Sequence, residues 1–140
     1  PEELTQVVSQ SDFLILTLPL TDKTRNLIDE EQFKRMKPTA FLINISRGAI
    51  VNEHILLNYL KNKKIAGAAL DVFVEEFERG YLPEDSPFWD LDNVVITPHC
   101  AGAGDGFYER FTKVFLYNLH CFAKGNVEQM VNVREFGKGY

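Results

Sequence analysis

The chain contains four short, nearly continuous apolar runs. They are residues 13–18 (FLILTL), 40–45 (AFLINI), 65–72 (IAGAALDV) and 93–97 (NVVIT). Apolar runs of this length, without strict alternation, are typical of strands buried on both faces of a parallel sheet. The pattern therefore predicts four strands, and small residues in the third let a helix or ligand approach closely.

Helix signals separate the first three runs. Asp29 followed by Gln32 has the form of a capping box, and the helix that it predicts should end before Pro38. Asn52 is a suitable N-cap for a second helix that continues to about Lys61. Apolar residues recur at helical spacing in that segment and give it one apolar face.

A long final helix is predicted from about residue 106 to 124, with Gly125 as its C-cap. One face of it is apolar: Phe107, Phe111, Val114, Phe115, Leu119 and Phe122. Between the third and fourth strands, residues 73–92 show no clear helix signal, and we interpret them as a long ligand-facing loop. The order of elements predicts an α/β fold, a partial Rossmann-type, doubly wound and mostly parallel sheet with flanking helices.

Composition narrows the classes of partner. The 140 residues carry a net charge of −5, so nucleic acid and anionic membrane surfaces are disfavoured as partners. The only basic cluster, Lys61, Lys63 and Lys64, ends a predicted helix, where it complements the helix dipole. No apolar run approaches the roughly 20 residues that span a bilayer. Cys100 and Cys121 lack metal or redox spacing, so we expect a cytoplasmic protein without a metal site.

The residues that directly follow the predicted strands include several chemically active side chains. In open α/β sheets, ligands bind beyond the carboxyl ends of the strands, so these residues should converge on one edge. In chain order they are Thr17, Leu18 and Pro19; Ser46, Arg47 and Gly48; Asp71 with Glu75, Glu76 and Glu78; and Pro98, His99, Cys100, Ala101 and Gly102.

Each of the four principal candidates has a plain structural alternative. Arg47 is either a surface charge or a guanidinium that binds a carboxylate in bidentate fashion. His99 is either a turn residue or a general acid/base, and Glu76 is either a solvated charge or the carboxylate that favours its imidazolium form. Asp71 either caps a turn or contacts a cofactor.

The glycines at 102, 104 and 106 imitate a dinucleotide-binding fingerprint, and we reject that interpretation. Phe107 stands where the third glycine of GxGxxG belongs, and the chain ends too soon for the acidic ribose partner. The segment is better explained as a flexible entry to the last helix.

Several motifs together resemble one known family. The stretches 43–53 (INISRGAIVNE), 66–76 (AGAALDVFVEE) and 93–102 (NVVITPHCAG) closely resemble the C-terminal half of the nucleotide-binding domain of D-isomer-specific 2-hydroxyacid dehydrogenases. Residues 16–28 (LTLPLTDKTRNLI) resemble the segment that precedes these motifs in the family. The order and the spacing of the motifs agree as well.

The resemblance implies roles for individual residues. His99 would be the catalytic acid/base, Glu76 its carboxylate partner and Arg47 the anchor of the substrate carboxylate. The implied reaction is reversible hydride transfer between a small 2-hydroxy or 2-keto acid and NAD, with NADP as a possible alternative. Positions implied to contact the cofactor are Leu18, Ile45, Ser46, Arg47, Asp71, His99, Cys100, Ala101 and Gly102.

The chain departs from the family pattern in two side chains and in extent. Asn52 replaces the usual Asp, and Phe77 stands near a usual Pro, but neither change touches the chemistry. The family's GxGxxG unit and its separate substrate domain have no counterpart here. Since the sequence opens at Pro1 without Met, we expect a piece of a longer protein.

On this interpretation, residues 1–125 are the C-terminal part of an NAD-binding domain, and residues 126–140 return toward an absent substrate domain. We expect the parent protein to be a homodimeric enzyme. The isolated chain should be inactive, bind NAD weakly at best and self-associate. A family-related protein that senses NAD without turnover is the alternative. The identity of the acid and the choice between NAD and NADP stay open.

Overall fold

The computed structural model describes residues 2–133, and for Glu2, Phe77 and Glu78 it describes the backbone alone. The chain divides into two compact units, residues 1–100 and residues 101–140.

The first unit is built on a four-stranded parallel sheet in the order β1-β2-β3-β4. Its register places Leu14 beside Leu42, Leu42 beside Ala68, and Ala68 beside Val94. Because all four strands run the same way, their carboxyl ends meet at one edge. The bounds are Phe13–Leu16 for β1, Phe41–Asn44 for β2, Gly67–Leu70 for β3 and Val94–Ile96 for β4.

Helices connect these strands and confirm the predicted Rossmann-type α/β fold. A helix that the pattern did not predict, α1, precedes the sheet, and the helices after Asp29 and Asn52 form where capping predicted them. The bounds are Glu2–Gln10 for α1, Glu30–Phe33 for α2, Glu53–Lys61 for α3 and Val74–Arg79 for α4, with a 3₁₀ turn at Gly48–Ile50.

The core of the first unit lies on one face of the sheet. Leu14, Leu16 and Leu42 point into it from the strands and are almost completely buried. Leu56 and Leu60 of α3 close it from above, as the helical spacing of that segment predicted. Each of these side chains stabilises the fold by about 2 kcal/mol through burial.

The prediction that the strands are buried on both faces is wrong for β1, β2 and β4, whereas β3 has no exposed residue. Phe13 and Ile15 of β1 are 62% and 55% exposed, and Val95 of β4 is 63% exposed. On this second face the rings of Phe13 and Phe41 stack at 5.5 Å. The strands carry apolar side chains on both faces, but the helices of this unit cover only one.

The prediction of a helix-free connection at residues 73–92 is also wrong, because α4 lies within it. Acidic residues in its first turn, Arg79 in its last turn and Gly80 at φ 78° after it are ordinary helix signals. The helix is short, so its apolar periodicity was too brief to detect.

In the second unit, α5 (Phe107–Ala123) confirms the predicted final helix, and Gly125 follows it at φ 76°. The rings of Phe107, Phe111 and Phe115 stack along one side of α5 at 6.3 and 6.2 Å, and all three are largely exposed. Of the tail at 126–140, a 3₁₀ turn forms at Val127–Gln129, and residues 134–140 lie outside the described part.

Candidate active site

The carboxyl edge of the sheet carries the three residues for which catalytic roles were predicted. Arg47 follows β2, Glu76 lies in α4 and His99 follows β4. The three face one cavity of about 570 Å³. Its walls are formed by Leu20, Arg25, Arg47, Gly48, Ala49, Val72, Phe73, Val74, Glu76 and His99.

His99 and Glu76 form a hydrogen-bonded pair. Nδ1 of His99 lies 2.5 Å from Oε1 of Glu76, and the imidazole is 50% exposed while the carboxylate is only 17% exposed. The second oxygen of Glu76, Oε2, accepts the backbone N–H of Phe73 at 3.1 Å. Because the backbone N–H of Phe73 holds the Glu76 carboxylate in place, the carboxylate in turn holds the imidazole of His99 in one orientation.

Asp71 organises the loop that carries His99. Its carboxylate, in a residue that is 3% exposed, accepts the Thr97 hydroxyl and the Cys100 N–H, the latter at 2.9 Å. Its backbone carbonyl accepts the His99 N–H at 3.0 Å. His99 has φ 51°, a left-handed conformation that non-glycine residues adopt only when their surroundings hold it. These contacts support the turn-capping interpretation of Asp71.

Asn44, which the sequence analysis did not select, shapes the turn that presents Arg47. Its buried side chain donates from Nδ2 to the Arg47 carbonyl at 3.0 Å. Its Oδ1 accepts the Ser46 N–H at 3.1 Å and the Ser46 hydroxyl at 2.8 Å. The sequence signal that could have identified Asn44 is a lone polar residue in an otherwise apolar strand. Arg47 itself is exposed and donates to the Ser46 carbonyl at 2.6 Å.

Arg25 is a second cation of the same cavity that sequence reasoning missed. It lies in the connection between β1 and α2, and no carboxylate of the described residues is within ion-pairing distance of its guanidinium. The cavity therefore presents two guanidinium groups, whereas its one carboxylate, Glu76, is engaged with His99. An anionic ligand suits this balance of charge.

The residues predicted to contact a cofactor fall into different environments. Leu18 and Ile45 follow β1 and β2 as exposed apolar side chains, 42% and 44% exposed, which suits the flat face of a nicotinamide ring. Ser46 is buried and bonded to Asn44, and Cys100 is exposed. Ala101 and Gly102 belong to the second unit, where both are exposed.

Glu53, in the first turn of α3, adds an unexpected charge next to this edge. Its Oε1 accepts the Val74 N–H at 2.7 Å. Burial raises the pKa of Glu53 to about 7, the hydrogen bond from Val74 opposes that rise, and the negative charges of Glu75 and Glu76 add to it. An ionised carboxylate is therefore costly at this position.

A second, smaller cavity of about 320 Å³ also reaches the His99–Glu76 pair. Its remaining lining is mostly apolar and includes Tyr81, Leu82 and Trp89.

Among residues 2–133 no helix is both long and apolar enough to cross a membrane. In the same range, no cluster of three or more His, Cys, Asp or Glu side chains could hold a metal ion.

Comparison with known proteins shows the family to which this chain belongs. Residues 1–101 match the family model described as D-isomer specific 2-hydroxyacid dehydrogenase, NAD binding domain. The chain is 40% identical over 140 residues to a glyoxylate reductase of Korarchaeum cryptofilum, covering 96% of this chain and 41% of the relative. It is 52% identical over 101 residues to glyoxylate/hydroxypyruvate reductase B of Pectobacterium carotovorum, covering 72% and 30%.

A solved structure agrees with these sequence matches. The D-isomer specific 2-hydroxyacid dehydrogenase of Xanthobacter autotrophicus, in complex with NADPH and MES, superposes with a TM-score of 0.86 at 32% identity. The match covers 99% of this chain and 54% of that one, so the chain spans about half or less of the proteins it resembles. It belongs to the D-isomer specific 2-hydroxyacid dehydrogenase family, and residues 1–101 match the NAD-binding domain of that family.

Proposed function

We propose that the protein carrying this chain is an NAD- or NADP-dependent oxidoreductase that interconverts small D-2-hydroxy acids and 2-keto acids. One observation carries the proposal. A His–Glu pair joined at 2.5 Å faces the same cavity as an exposed arginine, so a proton donor and a carboxylate anchor serve one bound molecule.

Arg47 binds the substrate carboxylate. Its planar guanidinium matches a carboxylate in a two-point contact, which orients the adjacent keto group instead of merely attracting the anion. Asn44 supports this role because it fixes the backbone turn on which Arg47 stands. A nicotinamide cofactor, when bound, supplies the hydride for C2 of the keto acid.

His99 supplies the proton. With Nδ1 bonded to Glu76, the opposite nitrogen, Nε2, is left to donate to the keto oxygen as negative charge develops there. Glu76 stabilises the imidazolium before transfer and holds the ring in one tautomer. In the oxidative direction Nε2 accepts the hydroxyl proton, so the pair acts as a base.

We assign the nicotinamide half of the cofactor to the exposed apolar side chains at the strand ends, Leu18 and Ile45, and to His99 and Cys100. The contacts of Asp71 and Ser46 are internal, so we assign these residues to supporting the site from behind. Glyoxylate and hydroxypyruvate are the first substrates to test, since the relatives' names include them.

The proposal is tested by following NADH and NADPH oxidation by the complete protein with glyoxylate, hydroxypyruvate, pyruvate and larger 2-keto acids. His99→Ala should lower kcat by about 10²- to 10⁴-fold, the usual contribution of general acid catalysis. Arg47→Met should raise KM for the keto acid more than it changes KM for the cofactor. His120→Ala, a histidine of α5, serves as the matched control.

Absence of turnover on the whole panel, or full activity of His99→Ala, would overturn the proposal. NAD binding by a complete protein without turnover would instead favour the alternative of a cofactor sensor. Homodimer formation and a cytoplasmic location stay predictions, to be checked by light scattering and fractionation.

A further inference from the structure

The start of α4 is held by two carboxylates from different parts of the chain. Glu53 of α3 accepts the Val74 N–H at 2.7 Å, and Glu76 of α4 itself accepts the Phe73 N–H at 3.1 Å. These N–H groups at a helix start have no partner within the helix, so each acceptor fixes the local backbone. Glu76 is the same residue that binds His99.

Gly48 brings the Arg47 turn into contact with the same point. A Cβ atom at Gly48 would lie 2.2 Å from the Phe73 carbonyl carbon and 2.4 Å from the Val74 nitrogen. Only a residue without a side chain fits there. The backbone at 73–74 is thus packed against the turn of the substrate anchor on one side and bonded to Glu53 on another.

We propose that Glu53 is a positioning residue of the active site, which holds the first turn of α4 and thereby places Glu76 against His99. The inference rests on the proposed function for its effect on turnover, and on the hydrogen bonds alone for its effect on structure. Glu53 is 46 residues from His99 along the chain and contacts the pair only through the backbone of α4.

An ordinary structural role does not account for Glu53. A glutamate in the first turn of a helix usually points to water and favours its own helix dipole. Here the side chain is partly buried and bonds a different helix, 21 residues further along. The charges of Glu75 and Glu76 oppose its ionisation. A carboxylate kept at this electrostatic cost is more common at functional sites than elsewhere.

The test uses three variants of the complete protein. Glu53→Met keeps side-chain length without an acceptor, and Glu53→Gln keeps an acceptor oxygen. Glu53→Asp keeps the charge and suits the first turn of a helix, but it is one methylene too short. Hydrogen exchange of the segment 72–77, followed by mass spectrometry, reports the contact, and steady-state kinetics reports its consequence.

We expect exchange in the segment 72–77 to become about 10-fold faster in Glu53→Met and Glu53→Asp. Their kcat should fall about 10-fold, since small misplacements of catalytic groups have effects of that size or larger. KM for the cofactor should stay within about twofold. Glu53→Gln should restore both measurements to within about threefold of the parent. Glu75→Gln, on the same helix, is the control.

If segment 72–77 exchanges at the parental rate in both Glu53→Met and Glu53→Asp, Glu53 does not hold the first turn of α4, whether or not the protein turns over substrate. Faster exchange with parental kcat would overturn the positioning role and leave the proposed function intact. A Glu53→Gln variant as impaired as Glu53→Met would also overturn it, because the acceptor would then not be what matters. Inactivity of the parent protein together with the expected exchange pattern would count against the proposed function alone.

Discussion

At the scale of single residues, the site depends on carboxylates that each hold two partners. Glu76 is the clearest case, with His99 on Oε1 and the Phe73 N–H on Oε2. Asp71 also holds two partners, but one oxygen, Oδ1, accepts both the Thr97 hydroxyl and the Cys100 N–H. An amide in place of Glu76 would offer one acceptor oxygen where the carboxylate offers two.

Glu76→Gln should therefore lower kcat by about 10²-fold, because the amide cannot both stabilise the imidazolium and cap Phe73. KM for the keto acid should change little, since Arg47 is untouched. Steady-state kinetics of the complete protein checks this, with Glu75→Gln as the matched change of charge on the same helix. A kcat above half of the parental value would contradict the assigned role.

Glu53 also makes stability depend on pH. Its pKa rises from an ordinary 4.5 to about 7 on folding, so the folded chain binds this proton more tightly. The stability that this proton provides is present below about pH 4.5 and is lost as the pH rises to about 7. Glu75 and Glu76 face the carboxylate from α4. His54 and Asp85 line, together with Glu53 and Glu75, a separate cavity of about 560 Å³.

Glu53→Gln should remove this loss, because it keeps an acceptor for Val74 and carries no charge. Relative to the parent, its free energy of unfolding should increase between pH 5 and pH 8 by about 1–2 kcal/mol, after allowance for solvent screening at a partly buried group. Urea unfolding at the two pH values measures the difference. The same pH dependence in both proteins would show that Glu53 titrates normally.

At the scale of elements, the Arg47 turn and the start of α4 approach so closely at Gly48 that they leave no room for a Cβ atom. Gly48→Ala forces these elements apart, and overpacking of this kind costs about 1–3 kcal/mol of stability. Because both Arg47 and Glu76 move with their elements, kcat/KM should fall as well. Thermal unfolding and kinetics test the change.

Gly104→Ala is the matched control, since nothing lies within 4 Å of the added methyl group. If the Gly48→Ala and Gly104→Ala variants have the same unfolding temperature and the same kcat/KM, the close approach at Gly48 contributes nothing to stability or turnover.

Sequence predicted the strands well, because each is a separate apolar run, and it predicted that Arg47, Glu76 and His99 share one edge, because parallel strands end together. It did not predict α4, whose start is fixed by Glu53 from another helix. Arg25 was missed because its surroundings are set by the packing of distant segments, which a local pattern does not contain. Asn44 is different: its partners, Ser46 and Arg47, are close in sequence, and a lone polar residue in an apolar strand was a usable signal.

At the scale of the whole molecule, the uncovered sheet face is the dominant feature. Phe13, Ile15, Phe41 and Val95 present apolar surface that the helices of the first unit leave exposed. In the second unit, α5 displays its own row of exposed phenylalanine rings. Patches of this kind are usually covered by other protein.

The 140-residue chain alone should therefore self-associate, and Val95→Lys should reduce the association by placing a charge on the open face. Sedimentation between micromolar and hundred-micromolar concentration measures both. Gln10→Lys, at an exposed position of α1, adds the same charge outside the open face and controls for the change of charge alone. A chain that stays monomeric throughout this range would contradict the prediction.

The double engagement of Glu76 also bears on how this protein can change over generations. The hydrogen bond to the Phe73 N–H at the start of α4 and the hydrogen bond to His99 come from one side chain. A single substitution of Glu76 therefore removes both. Selection for either contact preserves the other, so descendants that no longer use the His99–Glu76 pair would still retain it.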